Sequence, residues 1–121
     1  MTIRVNLDNL SIQQQYDPEG MLAAIRDLPD QCRQAWQETM AFNLPESYTR
    51  VNKAVVLGMG GSAIGSDLVR SLVLTEAKIP IIIQRDYDLP AFVDDKTLVI
   101  ASSYSGNTEE TLNAFEQALK T

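Results

Sequence analysis

The sequence predicts an α/β fold: a parallel sheet flanked by helices, preceded by a helical N-terminal segment. Three observations carry this. Ala54-Val55-Val56-Leu57, Ile79-Pro80-Ile81-Ile82-Ile83 and Thr97-Leu98-Val99-Ile100-Ala101 are short, nearly unbroken apolar runs, the pattern of strands covered on both faces. Amphipathic helical patterns follow the first and third runs. Glycine- or serine-rich loops join each of those two strands to its helix, as in strand–helix units with parallel strands.

Taken in order, residues 1–16 show no firm pattern. Asp17-Pro18 reads as a helix start, with Asp17 as N-cap and Pro18 at the first helical position. Met21, Ile25 and Leu28 then share one helical face. Pro29 is expected to interrupt, with a second helix from about Pro29 to Phe42 carrying Cys32, Ala35, Trp36 and Met40 on one side, the last two as core packing. Asn43-Leu44-Pro45 ends it. After the first strand, Ile64, Leu68 and Leu72 recur at helical spacing. Pro80 is tolerable only near the start of the second strand. Leu89-Pro90 marks a loop, and the last helix starts near Thr108 with Leu112, Phe115 and Leu119 as its inner face. Residues 1–50 thus form a helical extension and 51–121 the first part of an α/β domain, with a further strand expected beyond Thr121.

The 121 residues carry a net charge of −6. That balance argues against nucleic acid or an anionic membrane as partner. It leaves a phosphate ligand open, because backbone N–H groups bind phosphate without basic side chains. The chain has no histidine and a single cysteine, Cys32, so the usual neutral-pH base is missing and no intrachain disulfide can form. No metal-ligand spacing is present. No apolar run approaches the ~18 residues of a membrane span, and no signal-peptide core opens the chain. A cytoplasmic protein is the expectation.

Two loops carry chemistry. Gly58-Met59-Gly60-Gly61-Ser62-Ala63-Ile64-Gly65 follows the first strand and opens a helix. Its glycines allow close backbone approach, and the helix start offers free N–H groups with roughly half a positive charge. The loop suits an anion or a sugar hydroxyl. It also matches G-x-G-x-x-A through Gly58, Gly60 and Ala63, a dinucleotide fingerprint that is weak alone. At the end of the second strand, Asp86 falls late for a ribose contact, while Arg85 suits a 2′-phosphate. The second loop, Ser102-Ser103-Tyr104-Ser105-Gly106-Asn107-Thr108, also opens a helix. Its hydroxyls and free N–H groups could wrap the oxygens of one phosphate. Asn107 with Glu110 can alternatively be read as a capping box. Glu109 and Glu110 favour the helix start and are expected to face away from a bound phosphate.

Together, Gly58-Met-Gly-Gly-Ser-Ala-Ile-Gly65 and Ser103-Tyr-Ser-Gly-Asn-Thr-Glu-Glu-Thr111 resemble sugar isomerase (SIS) domains, and most closely the family of bifunctional phosphoglucose/phosphomannose isomerases. Met21 to Pro29 is similar to that family's helical N-terminal extension. The resemblance implies a three-layer, flavodoxin-like or Rossmann-like domain of which this chain is an N-terminal part. It implies interconversion of glucose 6-phosphate or mannose 6-phosphate with fructose 6-phosphate through an enediol, with no metal or organic cofactor, in a homodimer. By motif, Ser103, Ser105 and Thr108 would hold the phosphate, and Gly61 and Ser62 would contact the sugar or the intermediate. The family's glutamate base, histidine, lysine and arginine would lie beyond Thr121, so no catalytic residue is assigned here and the chain alone is expected to be inactive. Two other readings stand beside this one. A non-catalytic sugar-phosphate sensor would use the same loops, and a nicotinamide-dependent oxidoreductase would use only the first.

Overall fold

A computed structural model describes residue 6 and residues 8–121. The chain divides into two compact units, Met1–Asn43 and Leu44–Thr121.

The first unit holds helices α1, Leu10–Tyr16, and α2, Met21–Ala41. α1 is short, and its start is marked by Asn9, whose side chain accepts the Ser11 N–H at 2.9 Å. The start expected at Asp17-Pro18 lies three residues further on. Gly20 is the N-cap residue, and the Asp17 carboxylate reaches forward to accept the N–H groups of Met21 and Leu22, both at 2.7 Å. Asp17 therefore does supply the capping acceptor, from outside the helix. Pro29 does not interrupt α2, which runs through it. The proline forfeits one hydrogen bond and its ring crowds the preceding turn, and the turns on either side hold the helix together. Trp36 and Met40, expected in a core, are each 69% exposed.

The second unit begins with a 3₁₀ turn, Glu46–Arg50, followed by β1, Lys53–Leu57, α3, Gly61–Leu72, β2, Ile81–Gln84, β3, Thr97–Ala101, and α4, Glu109–Ala118. The sheet is parallel, in the order β2-β1-β3. β2 starts two residues later than its apolar run, leaving Pro80 just outside it. There the proline carbonyl accepts the Ala54 N–H at 3.0 Å, which uses proline's one backbone hydrogen-bonding group and needs no donor from it. Asp94 fastens the entry to β3. Its carboxylate meets the Lys53 ammonium at 2.9 Å and the Thr97 hydroxyl at 2.9 Å. Lys53, then Thr97, hold the Asp94 carboxyl below the usual carboxylate range, so the link persists at neutral pH and is lost only in acid.

Alternation along β1 sorts the two faces. Val55 and Leu57 join Val93 and Ala114 of α4 in the core, with Ile82, Leu89 and Val99 packed alongside. Ala54 and Val56 face the other way, toward Gly65, Ser66 and Val69 of α3 across a space of about 260 Å³. Three layers result, helix–sheet–helix, as the sequence predicts.

The helix faces differ from expectation. α4 turns Thr111 and Ala114 to the sheet and α3 turns Ala63. Leu112, Phe115 and Leu119, and likewise Ile64, Leu68 and Leu72, are exposed. Each helix approaches the sheet on its small residues, about one position (100°) away from its large apolar stripe. Among the described residues, no helix is long and apolar enough to cross a membrane.

Candidate functional site

The strand order fixes where a ligand can sit. From β1 the chain passes through α3 to one neighbour, β2, then returns past β1 to β3. α3 and α4 lie on opposite faces. The carboxyl ends of β1 and β3 therefore bound a crevice where the connections diverge, the usual ligand position in open parallel sheets. Both loops singled out in the sequence lie there.

Hydrogen bonds join them. Ser102 N–H donates to the Leu57 carbonyl at 2.8 Å. The Ser102 hydroxyl donates to the Ser62 carbonyl at 2.9 Å, and Tyr104 N–H donates to the Ser62 hydroxyl at 3.2 Å. Ser62 is thus a stitch between the loops. Gly58 is required by close approach: a Cβ there would stand 3.0 Å from the Ser102 carbonyl oxygen. Gly58→Ala should push the loops apart and cost about 1–3 kcal/mol, read as a lower urea midpoint. An unchanged midpoint would mean that the Ser102 backbone yields freely.

The second loop closes on itself. The Ser103 hydroxyl lies 2.9 Å from that of Thr108, and the Ser105 hydroxyl lies 3.5 Å from both. Gly106, at φ 68°, turns the chain so that its N–H donates to Ser103 Oγ at 3.1 Å, while Asn107 N–H donates to Ser105 Oγ at 3.2 Å. An oxygen that accepts from the backbone keeps its own hydrogen to give. Ser103, Ser105 and Thr108 thus form a triangle of hydroxyls, one hydrogen of which is used in the Ser103–Thr108 bond, beside the start of α4, whose first N–H groups have no intrahelical partner.

The capping-box reading of Asn107 and Glu110 is corrected by this geometry. Thr108 is the N-cap residue and makes no side-chain cap bond; Glu110 is then the second helical residue, not the third that a capping box needs. The hydroxyl that could have capped α4 is engaged with Ser103 instead.

An open groove of about 690 Å³ runs beside this triangle, lined by Gly61, Ser62, Ser102, Ser103 and Tyr104. Gly61 and Ser62, the first residues of α3, and Ser103 share that groove, while Ser105 and Thr108 meet Ser103 from beyond its lining. Three residues outside the expected site lie in the second loop, in the first turn of α4 or against that turn. Tyr104 is fully exposed at the groove. The Tyr87 hydroxyl donates to the Glu109 carboxylate at 3.4 Å. The Thr111 hydroxyl, in the first turn of α4, is buried (3% exposed) without a hydrogen-bond partner among the described residues. Its signal was present in the sequence as a threonine one helical turn after Thr108. Thr111→Val should hold stability level or raise it by about 1 kcal/mol, since an unpaired buried hydroxyl is costly. A clear loss in thermal denaturation would reveal a partner.

The nucleotide features of the first loop and of the end of β2 have other uses. Gly58 admits Ser102, and the Arg85 guanidinium is paired with Asp67 of α3, which also faces Arg70 at 3.4 Å. An arginine so paired is less available to a 2′-phosphate.

No family model matches the chain, and no solved structure matches it. Curated proteins do. The chain is 50% identical over 98 residues to a bifunctional phosphoglucose/phosphomannose isomerase of Caldicellulosiruptor bescii, a stretch that is 81% of this chain and 29% of that protein. The chain is homologous to the bifunctional phosphoglucose/phosphomannose isomerases. Proteins of the same name match in Thermoplasma volcanium, 48% identical over 59% of this chain and 22% of the relative, and in Aquifex aeolicus, 44% identical over 64% and 24%. The chain thus spans less than a third of the length of these isomerases.

Proposed function

We propose that this chain is the phosphate- and sugar-binding part of an aldose–ketose isomerase that interconverts glucose 6-phosphate or mannose 6-phosphate with fructose 6-phosphate. The observation that carries the reading is the hydroxyl triangle of Ser103, Ser105 and Thr108 at the start of α4, in a chain whose relatives bear the isomerase name. Hydroxyls and helix N–H groups together supply donors to a phosphate monoester with no basic side chain. The sugar then extends along the groove past Gly61 and Ser62.

In the parent enzyme, the ring opens and a proton passes between C1 and C2 through an enediol. The chain has no histidine, and none of its residues is assigned the base or the ring opening. The chain by itself binds without turning over. The working enzyme is a cytoplasmic homodimer.

An amide NMR titration with fructose 6-phosphate, and with NADP⁺ as control, tests the site. Saturable shifts at Ser103 to Thr108 with the sugar phosphate alone are expected. Shifts at Gly58 to Ala63 with NADP⁺ alone would replace this reading with the oxidoreductase one.

A further inference from the structure

α4 opens with two carboxylates, Glu109 and Glu110, directly after Thr108, whose hydroxyl belongs to the triangle. Acidic side chains gain from the helix dipole at this position. A Glu109 carboxylate free to swing toward a bound phosphate would oppose it, because like charges a few ångströms apart repel.

The structure gives Glu109 another partner. The Tyr87 hydroxyl donates to Glu109 Oε2 at 3.4 Å. Tyr87 is itself fixed along α4. Its carbonyl accepts Asn113 Nδ2–H at 2.8 Å and Gln117 Nε2–H at 3.2 Å, while Leu89 N–H donates to Gln117 Oε1 at 3.1 Å. Three bonds from two α4 amides therefore seat the segment that follows β2, with the phenol reaching the first turn of the helix. The Glu110 charge, then desolvation, then Glu109 raise the Tyr87 phenol above its ordinary value. It stays protonated, and so remains a donor, well into alkaline solution.

We propose that Tyr87 is a positioning residue for the anion site: by holding the Glu109 carboxylate at its hydroxyl, it keeps that charge off the Ser103–Ser105–Thr108 triangle and lets the site take a phosphate monoester. The proposal rests on the sugar-phosphate reading of that triangle. It concerns a tyrosine that lies outside both loops and acts on the site only by holding Glu109 away from it.

The test is a double-mutant cycle on the intact chain, with fructose 6-phosphate as the probe and amide shifts as the readout. Tyr87→Phe keeps the ring and the backbone anchors but loses the donor, and should weaken binding about three- to tenfold at low salt, with a smaller loss at high salt. Glu109→Gln in the wild-type background should change affinity by less than about twofold, and in the Tyr87→Phe background it should restore most of the loss. Wild-type binding with an unchanged Tyr87→Phe variant would overturn the proposal and leave the site reading standing. A loss that Glu109→Gln does not rescue would also overturn it, by showing that the phenol acts directly or through packing. Absence of saturable binding by the wild-type chain would remove the site reading and this proposal together.

Discussion

Replacing both Ser103 and Ser105 by alanine should weaken fructose 6-phosphate binding by about 2–4 kcal/mol, with each hydrogen bond to a charged group worth ~1.5–3 kcal/mol and water recovering part of it. That is roughly a 30- to 700-fold rise in Kd. The loop should remain folded, although the change has a local cost. Ser103 Oγ and Ser105 Oγ accept the N–H groups of Gly106 and Asn107, and Ser103 Oγ also pairs with Thr108 Oγ1; all three bonds are lost. The two backbone bonds are exposed and the Ser103–Thr108 bond is only partly buried, so water replaces them and stability should fall by no more than about 1–2 kcal/mol. Amide titration measures the affinity and urea denaturation the stability. Unaltered affinity would reduce the triangle to a loop-closing device. A stability loss as large as the affinity loss would mean that the hydroxyls build the loop rather than serve a ligand.

Leu57→Ala should cost about 2–5 kcal/mol, a large share of the stability of any small domain. Leu57 is 1% exposed at the end of the central strand and packs with Val55, Val93 and Ala114. No neighbouring strand can close the hole, because Gly58 and Ser102 hold the adjacent backbone in place. Leu119→Ala is the matched control. Leu119, the C-cap residue just past α4, is 72% exposed, and its truncation should change stability by less than about 0.5 kcal/mol. Urea midpoints of the two variants decide which face of α4 meets the sheet. Equal losses would restore the inner face that periodicity predicts.

Those two leucines also show where periodicity stops being informative. A helical stripe announces that one face is apolar, but it does not say which neighbour that face meets. In α3 and α4 the sheet is met by Ala63, Thr111 and Ala114, small residues that let the helix axis come close. Nothing local distinguishes a leucine stripe turned inward from one turned a third of a revolution away. Pro29 is a similar case. The residue-level penalty for proline in a helix is real, yet the caps and the turns on both sides carry α2 through it.

The site was far more legible. Its two loops stand out through residue chemistry, because a glycine that must admit another backbone and hydroxyls clustered at a helix start have few substitutes. Tyr87 was not legible at all: it is 22 residues from Glu109 in the chain, and only the docking of the segment after β2 onto α4 brings them together.

The sequence by itself determined the three strands, the helices that follow β1 and β3, and the two glycine- and serine-rich loops that open them, because unbroken apolar runs and glycine- and serine-rich helix starts are local properties. The tertiary structure alone decided the strand order β2-β1-β3, which helix face is buried, and the partners of Ser62 and Glu109. Those depend on contacts between residues distant in the chain, whose energies no local pattern contains.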